Sequence, residues 1–368
     1  MDTLTHALSG ALVGRLLAPR RSAGASLSAS SPATWQAVAT GAVAATFPDL
    51  DFVLGYVSEL AYLRGHRGVT HSIVLLPLWG LLLAALMSRL FARDRATHTW
   101  RGQGFAAFYL VACAALAIHI AGDLITQFGT MILAPFSDRR FGLGTTFIID
   151  LPLTGIILAG LAASALWRRR RAPAAIALVA LAGWVGVGAV GRGAALAAAR
   201  AYAAEQGIEA AVVDAAPRPA SPFNWTAIVF DGERYHYAHL NTRRSEPLVA
   251  APEDSFIRRI SAPYQPVALA RWEVRPRFGE GDAGALARSV WAAEDFAFYR
   301  WFAMFPLLDH VDDGGERVCA GFRDLRFEMP GRDELPFRYG LCSEASAAGA
   351  GWRLYERVSG GRRWIEAD

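Results

Sequence analysis

The sequence contains no lysine, so arginine supplies all 37 of its basic residues. Charge of either sign is scarce: charged residues make up 19% of the chain and hydrophobic residues 53%. A soluble globular protein carries about 25% charged residues. Three cysteines are too few for a disulfide framework. These scarcities exclude a disordered, collagen-like or disulfide-framework protein and indicate a membrane protein.

The charge is divided unequally along the chain. Residues 1–200 contain 17 arginines and 8 acidic residues, whereas residues 201–368 contain 20 arginines and 25 acidic residues. The excess positive charge therefore lies in loops beside the apolar runs of the first half, as membrane orientation requires. No basic patch extends over a domain, so we expect no nucleic-acid partner.

The first half contains several long apolar runs. Four of them reach the roughly 20 residues that span a bilayer: Val69–Phe91, Gly104–Thr126, Ile148–Trp167 and Ala172–Ala199. Two earlier runs, Leu4–Ala18 and Trp35–Val57, are weaker, and Ala23–Ser31 is typical of a loop. We therefore predict a polytopic α-helical membrane bundle over residues 1–200, with about five or six hydrophobic helices.

The composition changes after residue 200. Three prolines within 201–222 indicate a linker, and 223–368 is predicted to be a soluble α+β domain. Runs at Trp225–Phe230 and Tyr235–Leu240 flank Asp231-Gly232, which is a strong hairpin signal. Other short runs predict further strands, and one longer run predicts a helix: the strands at Val267–Val274, Val318–Phe327 and Trp352–Val358, and the helix at Ala283–Phe305.

Arginine clusters predict the orientation of the helices. Positive charge favours the cytoplasmic side, which indicates that Arg20-Arg21, Arg89–Arg101 and Arg168–Arg171 are cytoplasmic. Alternating the helices from there gives a multi-pass protein of the inner membrane with an extracytoplasmic C-terminal domain. Cys319 and Cys342 can form a disulfide in that compartment, and two buried free thiols are the alternative.

The same alternation brings many ionisable residues to the external end of the predicted bundle. Such residues at bilayer depth are costly and usually functional. They are His6, Asp49, Asp51, His66, His71, His119, Asp123 and Asp150. Bound divalent cations would satisfy all of them at once, because an unpaired charge in an apolar setting needs a partner.

Each local pattern has a functional and a structural interpretation. His119 and Asp123 are four residues apart, so on a helix they share one face and can chelate one ion, or form a single stabilising hydrogen bond. Asp49 and Asp51 repel each other unless a cation lies between them, although Pro-Asp also makes ordinary turns. Arg67 can bind a phosphate or carboxylate, or anchor the chain at the interface.

From these patterns we assign expected roles. Imidazole and carboxylate ligands together suit zinc, or manganese, rather than calcium. The expected metal ligands are His6, His66, His71, His119 and Asp123; the catalytic carboxylates are Asp49 and Asp51; Arg67 binds substrate, and Asp150 orients a ligand histidine from behind.

The same residues resemble a known family. Asp2-xx-Thr5-His6-xxx-Gly10, Pro48-Asp49-x-Asp51, His66-Arg67-Gly68-x-Thr70-His71-Ser72 and His119-xxx-Asp123 look like the signatures of the YdjM-like membrane-bound metal-dependent hydrolases of the bacterial inner membrane. The resemblance covers about residues 1–170. The order of ligands is also similar to that of zinc-dependent phospholipases C and S1/P1-type nucleases, but no later His-xxx-Glu completes a three-zinc set.

The resemblance implies metal-dependent hydrolysis. A phosphoester on a lipid or lipid-linked molecule fits a site at headgroup depth on the outer face, so membrane lipids and a small-molecule or lipid substrate are the expected partners. A metal-binding transporter and a non-catalytic envelope scaffold are the alternatives. A transporter would place ionisable residues at the midplane and on both faces, whereas here they gather at one face.

Overall fold

The computed structural model describes residues 1–18, 32–91, 103–313, 315–332, 334–344 and 351–366. Three features predicted from the sequence lie outside them: the Arg20-Arg21 cluster, the Ala23–Ser31 loop and almost all of the arginine-rich stretch after Arg89. The chain forms two compact units. The first comprises Met1–Val57 and Ala61–Ala189, and the second comprises Ser58–Leu60 and Val190–Asp368.

The described part of the first unit is helical. Its α-helices are α1 (Thr3–Leu17), α2 (Thr34–Thr46), α3 (Glu59–Gly65), α4 (Leu76–Leu90), α5 (Gln103–Leu124), α6 (Leu151–Leu166) and the first part of α7 (Ala172–Glu205). Two 3-10 segments, Phe47–Tyr56 and Val69–His71, connect α2, α3 and α4. These two segments carry much of the chemistry described below.

Several of these helices can cross a membrane. Among the described residues, Thr34–Tyr56, Gly104–Leu124 and Ala172–Glu205 are long and apolar enough to do so. Glu59–His71 and Leu76–Leu90 make a fourth span if the pair, bent by 80°, is counted as one. The structure thus confirms apolar helices that can span a membrane, followed by a β-rich region.

Two predicted spans are shorter than expected. Val69–Phe91 was predicted as one helix, but His71 ends a 3-10 turn and α4 begins only at Leu76. Ile148–Trp167 contains the 16-residue α6, whose N-cap is Asp150. Both helices begin with a proline in the first turn, where its missing N–H costs nothing. The length of an apolar run therefore overestimates the length of a helix when a proline lies in the first turn of that helix.

Small residues bring α1 and α2 into backbone contact. A Cβ added to Gly10 would lie 2.1 Å from the carbonyl oxygen of Gly41, and a Cβ added to Gly41 would lie 2.1 Å from that of Gly10. Glycine at both positions is what allows this approach. Ala44 and Ala45 of α2 then pack with Leu116 of α5, so α1, α2 and α5 form one tightly packed group.

The second unit is rich in strands. They are β1 (Val212–Pro217), β2 (Asn224–Phe230), β3 (Arg234–Asn241), β4 (Gln265–Pro266), β5 (Glu273–Pro276), β6 (Pro306–Asp312), β7 (Arg317–Asp324), β8 (Tyr339–Glu344), β9 (Arg353–Val358) and β10 (Gly361–Trp364). One sheet has the order β1-β2-β3-β4, with β5 also paired to β3, and the other has the order β10-β9-β8-β7-β6. Three short helices accompany them: α8 (Phe256–Ser261), α9 (Gly281–Ala292) and α10 (Ala297–Phe302).

The predicted hairpin is confirmed. Strands β2 and β3 pair antiparallel with Phe230 opposite Tyr235, and Gly232 between them has a φ of +107°. The predicted runs at Val318–Phe327 and Trp352–Val358 correspond to β7 and β9. Cys319 and Cys342 lie opposite each other on β7 and β8, and they form a disulfide.

Three other expectations differ from the structure. Val267–Val274 is not one strand, because Val267–Leu269 is a 3-10 turn and β5 begins at Glu273. The helix expected over Ala283–Phe305 is interrupted by a second 3-10 turn at Glu294–Phe296. The range 201–222, expected to be a linker, contains the end of α7 and the whole of β1.

Candidate metal centre

Residues at or next to one end of each of four helices, α1, α2, α4 and α5, form one site. His6 is in the first turns of α1, and His119 and Asp123 are in the last turns of α5. Asp49 follows the C-terminal end of α2, and His71 precedes the start of α4. The starts of α1 and α4 lie next to the ends of α2 and α5. This arrangement brings the five side chains to one end of the helices.

The five side chains form a buried cluster. His6, His71, His119 and Asp123 are each 0% exposed, and the Asp49 side chain is 15% exposed. One ligand atom from each of His6, Asp49, His119 and Asp123 lies within 4.8 Å of the others. The fifth residue belongs with them, since His71 Nε2 is 3.1 Å from Asp123 Oδ2 and 3.8 Å from Asp49 Oδ1.

Several atoms of the cluster lack a hydrogen bond within the described residues. They are His6 Nδ1, Asp49 Oδ2, His71 Nε2, His119 Nε2 and Asp123 Oδ2. Buried polar atoms are nearly always hydrogen-bonded, so a group of five such atoms needs an explanation. Imidazole nitrogens and carboxylate oxygens are also the donors that a divalent transition metal prefers. The donor set therefore fits a divalent cation.

The orientation of His119 supports the same conclusion. Its Nδ1 is 2.6 Å from the carbonyl oxygen of Ala45. A carbonyl oxygen only accepts, so Nδ1 carries the proton and donates it. The Nε2 atom then presents a lone pair to the cluster, 3.4 Å from Asp123 Oδ2 and 3.7 Å from Asp49 Oδ1. A backbone carbonyl that fixes the histidine tautomer is the usual arrangement behind a metal ligand.

The two oxygens of Asp123 have different surroundings. Its Oδ1 is 2.6 Å from the Met1 amino nitrogen, 3.1 Å from His6 Nε2 and 2.9 Å from Arg67 Nη2. Its Oδ2 lies among the Nε2 atoms of His71 and His119. One oxygen is thus held by donors, while the other remains available to a cation.

Arg67 is part of this arrangement. Arg67 is only 3% exposed, and its backbone has a φ of +60°. Its Nη1 donates a hydrogen bond to Thr126 Oγ1 at 2.9 Å. The guanidinium, expected to bind substrate, neutralises the buried Asp123 carboxylate in this structure. Arg67 therefore contacts the cluster through Asp123.

His66, expected to be a metal ligand, and Asp51, expected to be a catalytic carboxylate, lie behind His71 and not among the ligand atoms of the cluster. Asp51 Oδ1 is 2.9 Å from His66 Nδ1, and its Oδ2 accepts from the backbone N–H of Arg67 at 3.0 Å. The same Oδ2 is 3.5 Å from His71 Nδ1, and Thr70 Oγ1 is 3.0 Å from that nitrogen. Asp51 therefore supports His71 from the side away from the cluster, and His66 contacts Asp51.

Asp150 has a role other than the expected one. Its Oδ1 accepts from the backbone N–H of Leu153 at 2.9 Å, which caps α6, and both oxygens accept from the indole of Trp184 at 3.0 and 3.1 Å. The side chain that we expected to orient a histidine instead fixes the start of α6 against α7.

Several contributors had no role assigned to them from the sequence. Thr70 and Thr126 hydrogen-bond to His71 and Arg67, and the carbonyl of Ala45 orients His119. Asp2 caps α1 by accepting from Thr5 N at 3.0 Å. An aspartate three residues before a threonine at a helix start is a visible capping signal, whereas a carbonyl contact leaves no trace in the sequence.

Comparison with known proteins identifies a family for the first part of the chain. Residues 1–195 match the family described as YdjM inner membrane protein. A relative named "Uncharacterized protein YfhP", from Bacillus subtilis (strain 168), is 30% identical over 168 residues, which are 45% of this chain and 46% of the relative. The matched segment thus spans about half of that relative's length. No solved structure matches the chain.

The family match covers more than half of the 368 residues, and it includes all five residues of the buried cluster. The chain belongs to the YdjM inner membrane protein family.

Proposed function

We propose that this protein is a membrane-bound metal-dependent hydrolase, with its site at the outer face of the inner membrane. The observation that carries the proposal is the group of unbonded ligand atoms on His6, Asp49, His71, His119 and Asp123. Zinc is the preferred cation and manganese the second choice, because mixed imidazole and carboxylate donors suit both.

The chain's own residues have distinct proposed roles. His71, His119 and Asp123 hold the cation, with His6 and Asp49 completing the set. When bound, a divalent ion polarises the scissile group and makes water a better nucleophile near neutral pH. Asp49 is the most exposed of the five side chains, so it is the carboxylate best able to accept a proton. Arg67 is paired with Asp123, and its positive charge at the site favours an anionic substrate without direct contact.

A phosphoester, on a lipid or lipid-linked molecule, is the proposed substrate. Hydrolysis of such a bond develops negative charge on oxygen, and an electropositive site stabilises that charge. Asp123 and His71 lie at or next to the ends of helices that can span a membrane, and in the proposed topology this is the depth of lipid headgroups.

The outward orientation is supported by the opposite end of α1. Arg15, near its C-terminal end, donates from Nη2 to the carbonyl oxygens of Arg168 at 2.7 Å and Arg170 at 2.9 Å, and Arg171 donates to that of Ala18. The Arg168–Arg171 cluster is therefore at one end of a helix about 22 Å long, while His6 is at the other. Positive charge favours the cytoplasm, so we infer that the site is external.

The disulfide supports the same topology for the second unit. Disulfides persist in oxidising compartments and are rare in the cytoplasm. Cys319 and Cys342 form one, which agrees with an extracytoplasmic C-terminal region reached after several passes of the membrane.

The test is hydrolysis by the purified full-length protein. The protein is stripped of metal, reloaded with zinc or manganese, and assayed against soluble phosphoesters and phospholipids. We expect activity to return when metal is restored and to be absent from His119→Ala. It should persist in Asp150→Asn, because the Asp150 carboxylate caps α6 and does not belong to the cluster. Tight metal binding without turnover on any of these substrates would favour the transporter or the scaffold.

A further inference from the structure

An apolar cleft opens beside the candidate metal centre. Its volume is about 380 Å³, within the roughly 300–1,000 Å³ typical of small-molecule sites. Most of the exposed lining surface is apolar, although Arg64, Ser137 and Asp138 also line the cleft. Its apolar walls include Leu50, Val53, Leu54, Val69 and Met131.

The cleft is continuous with the residues that support His71. Asp51 and Thr70 line it as well, and Thr70 Oγ1 is 3.0 Å from His71 Nδ1. A molecule in the cleft is therefore separated from a candidate metal ligand by one layer of side chains. This proximity ties the cleft to the chemistry of the site.

The walls of the cleft reach the surface of the unit as apolar side chains. Leu50 is 48% exposed, Val53 50% and Val69 46%. Beside them, Phe52 is 51% exposed and Tyr56 is 84% exposed. An exposed apolar patch of this kind marks contact with a membrane or an apolar ligand, and in an inner-membrane protein lipid chains are the neighbours at hand.

We propose that this cleft receives the hydrocarbon chain of a lipid, and that the substrate is an amphiphile whose polar linkage then lies beside Asp51 and Thr70, one layer of side chains from His71. This inference rests on the proposed hydrolase function and narrows its substrate class to lipids over soluble phosphoesters. A water-soluble phosphoester has no apolar part with which to use the cleft.

The cleft acts by positioning rather than by tight binding. Lipid tails are as apolar as a leucine side chain, so a chain that moves from the bilayer into the cleft gains little free energy. The gain is orientational, because a chain held in the cleft keeps its linkage near the reacting groups. The location of the bound chain, and not a dissociation constant, is therefore the quantity to measure.

The experiment places the full-length protein in nanodiscs that contain a phospholipid with a photoreactive diazirine at the end of one acyl chain. After illumination, mass spectrometry identifies the labelled residues. We expect label on Met131, which lines the cleft although it is only 4% exposed. Lipids that merely surround the helices label exposed positions such as Leu158, which is 49% exposed.

Two substitutions in one segment provide the matched comparison. Val53→Trp fills the cleft, whereas Phe52→Trp changes a neighbour of equal exposure that does not line it. We expect loss of Met131 labelling in Val53→Trp and retention in Phe52→Trp, with unchanged metal content in both as evidence of folding. Leu50→Trp repeats the test from a second position on the wall.

The outcomes separate this inference from the hydrolase proposal, since labelling needs no turnover. Label on Met131 in a protein that hydrolyses none of the substrates would support the lipid cleft and contradict the hydrolase proposal. Hydrolysis of soluble phosphoesters, with label confined to exposed helix surfaces, would support the hydrolase proposal and contradict the lipid-cleft proposal. Equal labelling of Met131 in Val53→Trp and Phe52→Trp would overturn it as well.

Discussion

Replacing Asp51 with asparagine tests how the site is layered. The carboxylate accepts from Arg67 N, contacts His66, and is 3.5 Å from Nδ1 of His71. Asparagine keeps the size of the side chain but removes the charge behind His71. We therefore expect Asp51→Asn to weaken metal binding without abolishing it, because the ligand atoms themselves remain.

The expected magnitude follows from this indirect position. Loss of a group that orients a metal ligand typically lowers metal affinity by about 10- to 100-fold, which corresponds to roughly 1.4–2.8 kcal/mol of binding free energy. The assay is competition for zinc between the detergent-solubilised protein and a chelating dye. His71→Ala should cost more, and adding Asp51→Asn to it should cost little further, because both changes act through one residue.

Asp150→Asn is the matched control. It also removes a carboxylate charge, yet the contacts of that carboxylate are the cap of α6 and the indole of Trp184. Asparagine caps a helix about as well as aspartate, so this variant should leave both the melting temperature and the zinc affinity nearly unchanged. If Asp51→Asn binds zinc as tightly as wild type while turnover is lost, Asp51 is a catalytic carboxylate, as the sequence alone suggested, and the support role is refuted.

Three further predictions concern packing, pH and topology. Gly41→Ala puts a methyl group 2.1 Å from a backbone oxygen of α1 and should destabilise the protein by about 1–3 kcal/mol; Gly155→Ala, with nothing within 4 Å, should leave the melting temperature unchanged or higher. Burial, with a smaller contribution from Arg218, lowers the pKa of His239 to about 3. Between that pH and about 6.5, the unfolded state therefore binds a proton on His239 that the folded state does not bind. Stability should therefore fall as pH drops through that window, by at most about 1.4 kcal/mol per pH unit, and the melting-temperature gap between wild type and His239→Gln should narrow between pH 7.5 and 4.5; a constant gap would contradict the assignment. A reporter fused after Asp368 should be active only in its periplasm-dependent form, and cytoplasmic activity would move the proposed site to the inner face.

Four of the five expected metal ligands, His6, His71, His119 and Asp123, lie in the cluster, whereas His66 does not. Histidine and aspartate are conspicuous in apolar runs, and the spacing of His119 and Asp123 puts them on one face of any helix. The alternation of helices then brought His6, Asp49 and His71 to the same end. None of these steps required knowledge of side-chain contacts.

The layering within the site was not predictable, since it depends on local geometry. Asp49 and Asp51 are two residues apart in a 3-10 segment, which has three residues per turn. They therefore point in different directions, and only one of them joins the ligand atoms. The sequence shows two equivalent carboxylates, while the structure gives Asp49 to the cluster and Asp51 to the support of His71.

The limits of the helices show a similar contrast. Apolar composition predicted where the apolar helices lie, but the predicted ranges began before the actual starts of α4 and α6. Pro77 and Pro152 lie in the first turns of these helices and were the available signal. The hairpin of β2 and β3 was predicted well because Asp231-Gly232 fixes a turn locally, whereas the break between α9 and α10 depends on tertiary packing.

The central claim is that the buried histidines and aspartates bind a divalent metal, and elemental analysis of the purified protein tests it most directly. Zinc and manganese per chain are measured, together with the melting temperature, for wild type, His119→Ala, Asp123→Asn and the double variant. We predict stoichiometric metal in wild type, less in each single variant, and a double variant that loses less than the sum of the singles, because one site is lost once. Full metal occupancy in the double variant, with only a reduced melting temperature, would mean that this pair stabilises the end of α5 and does not bind metal.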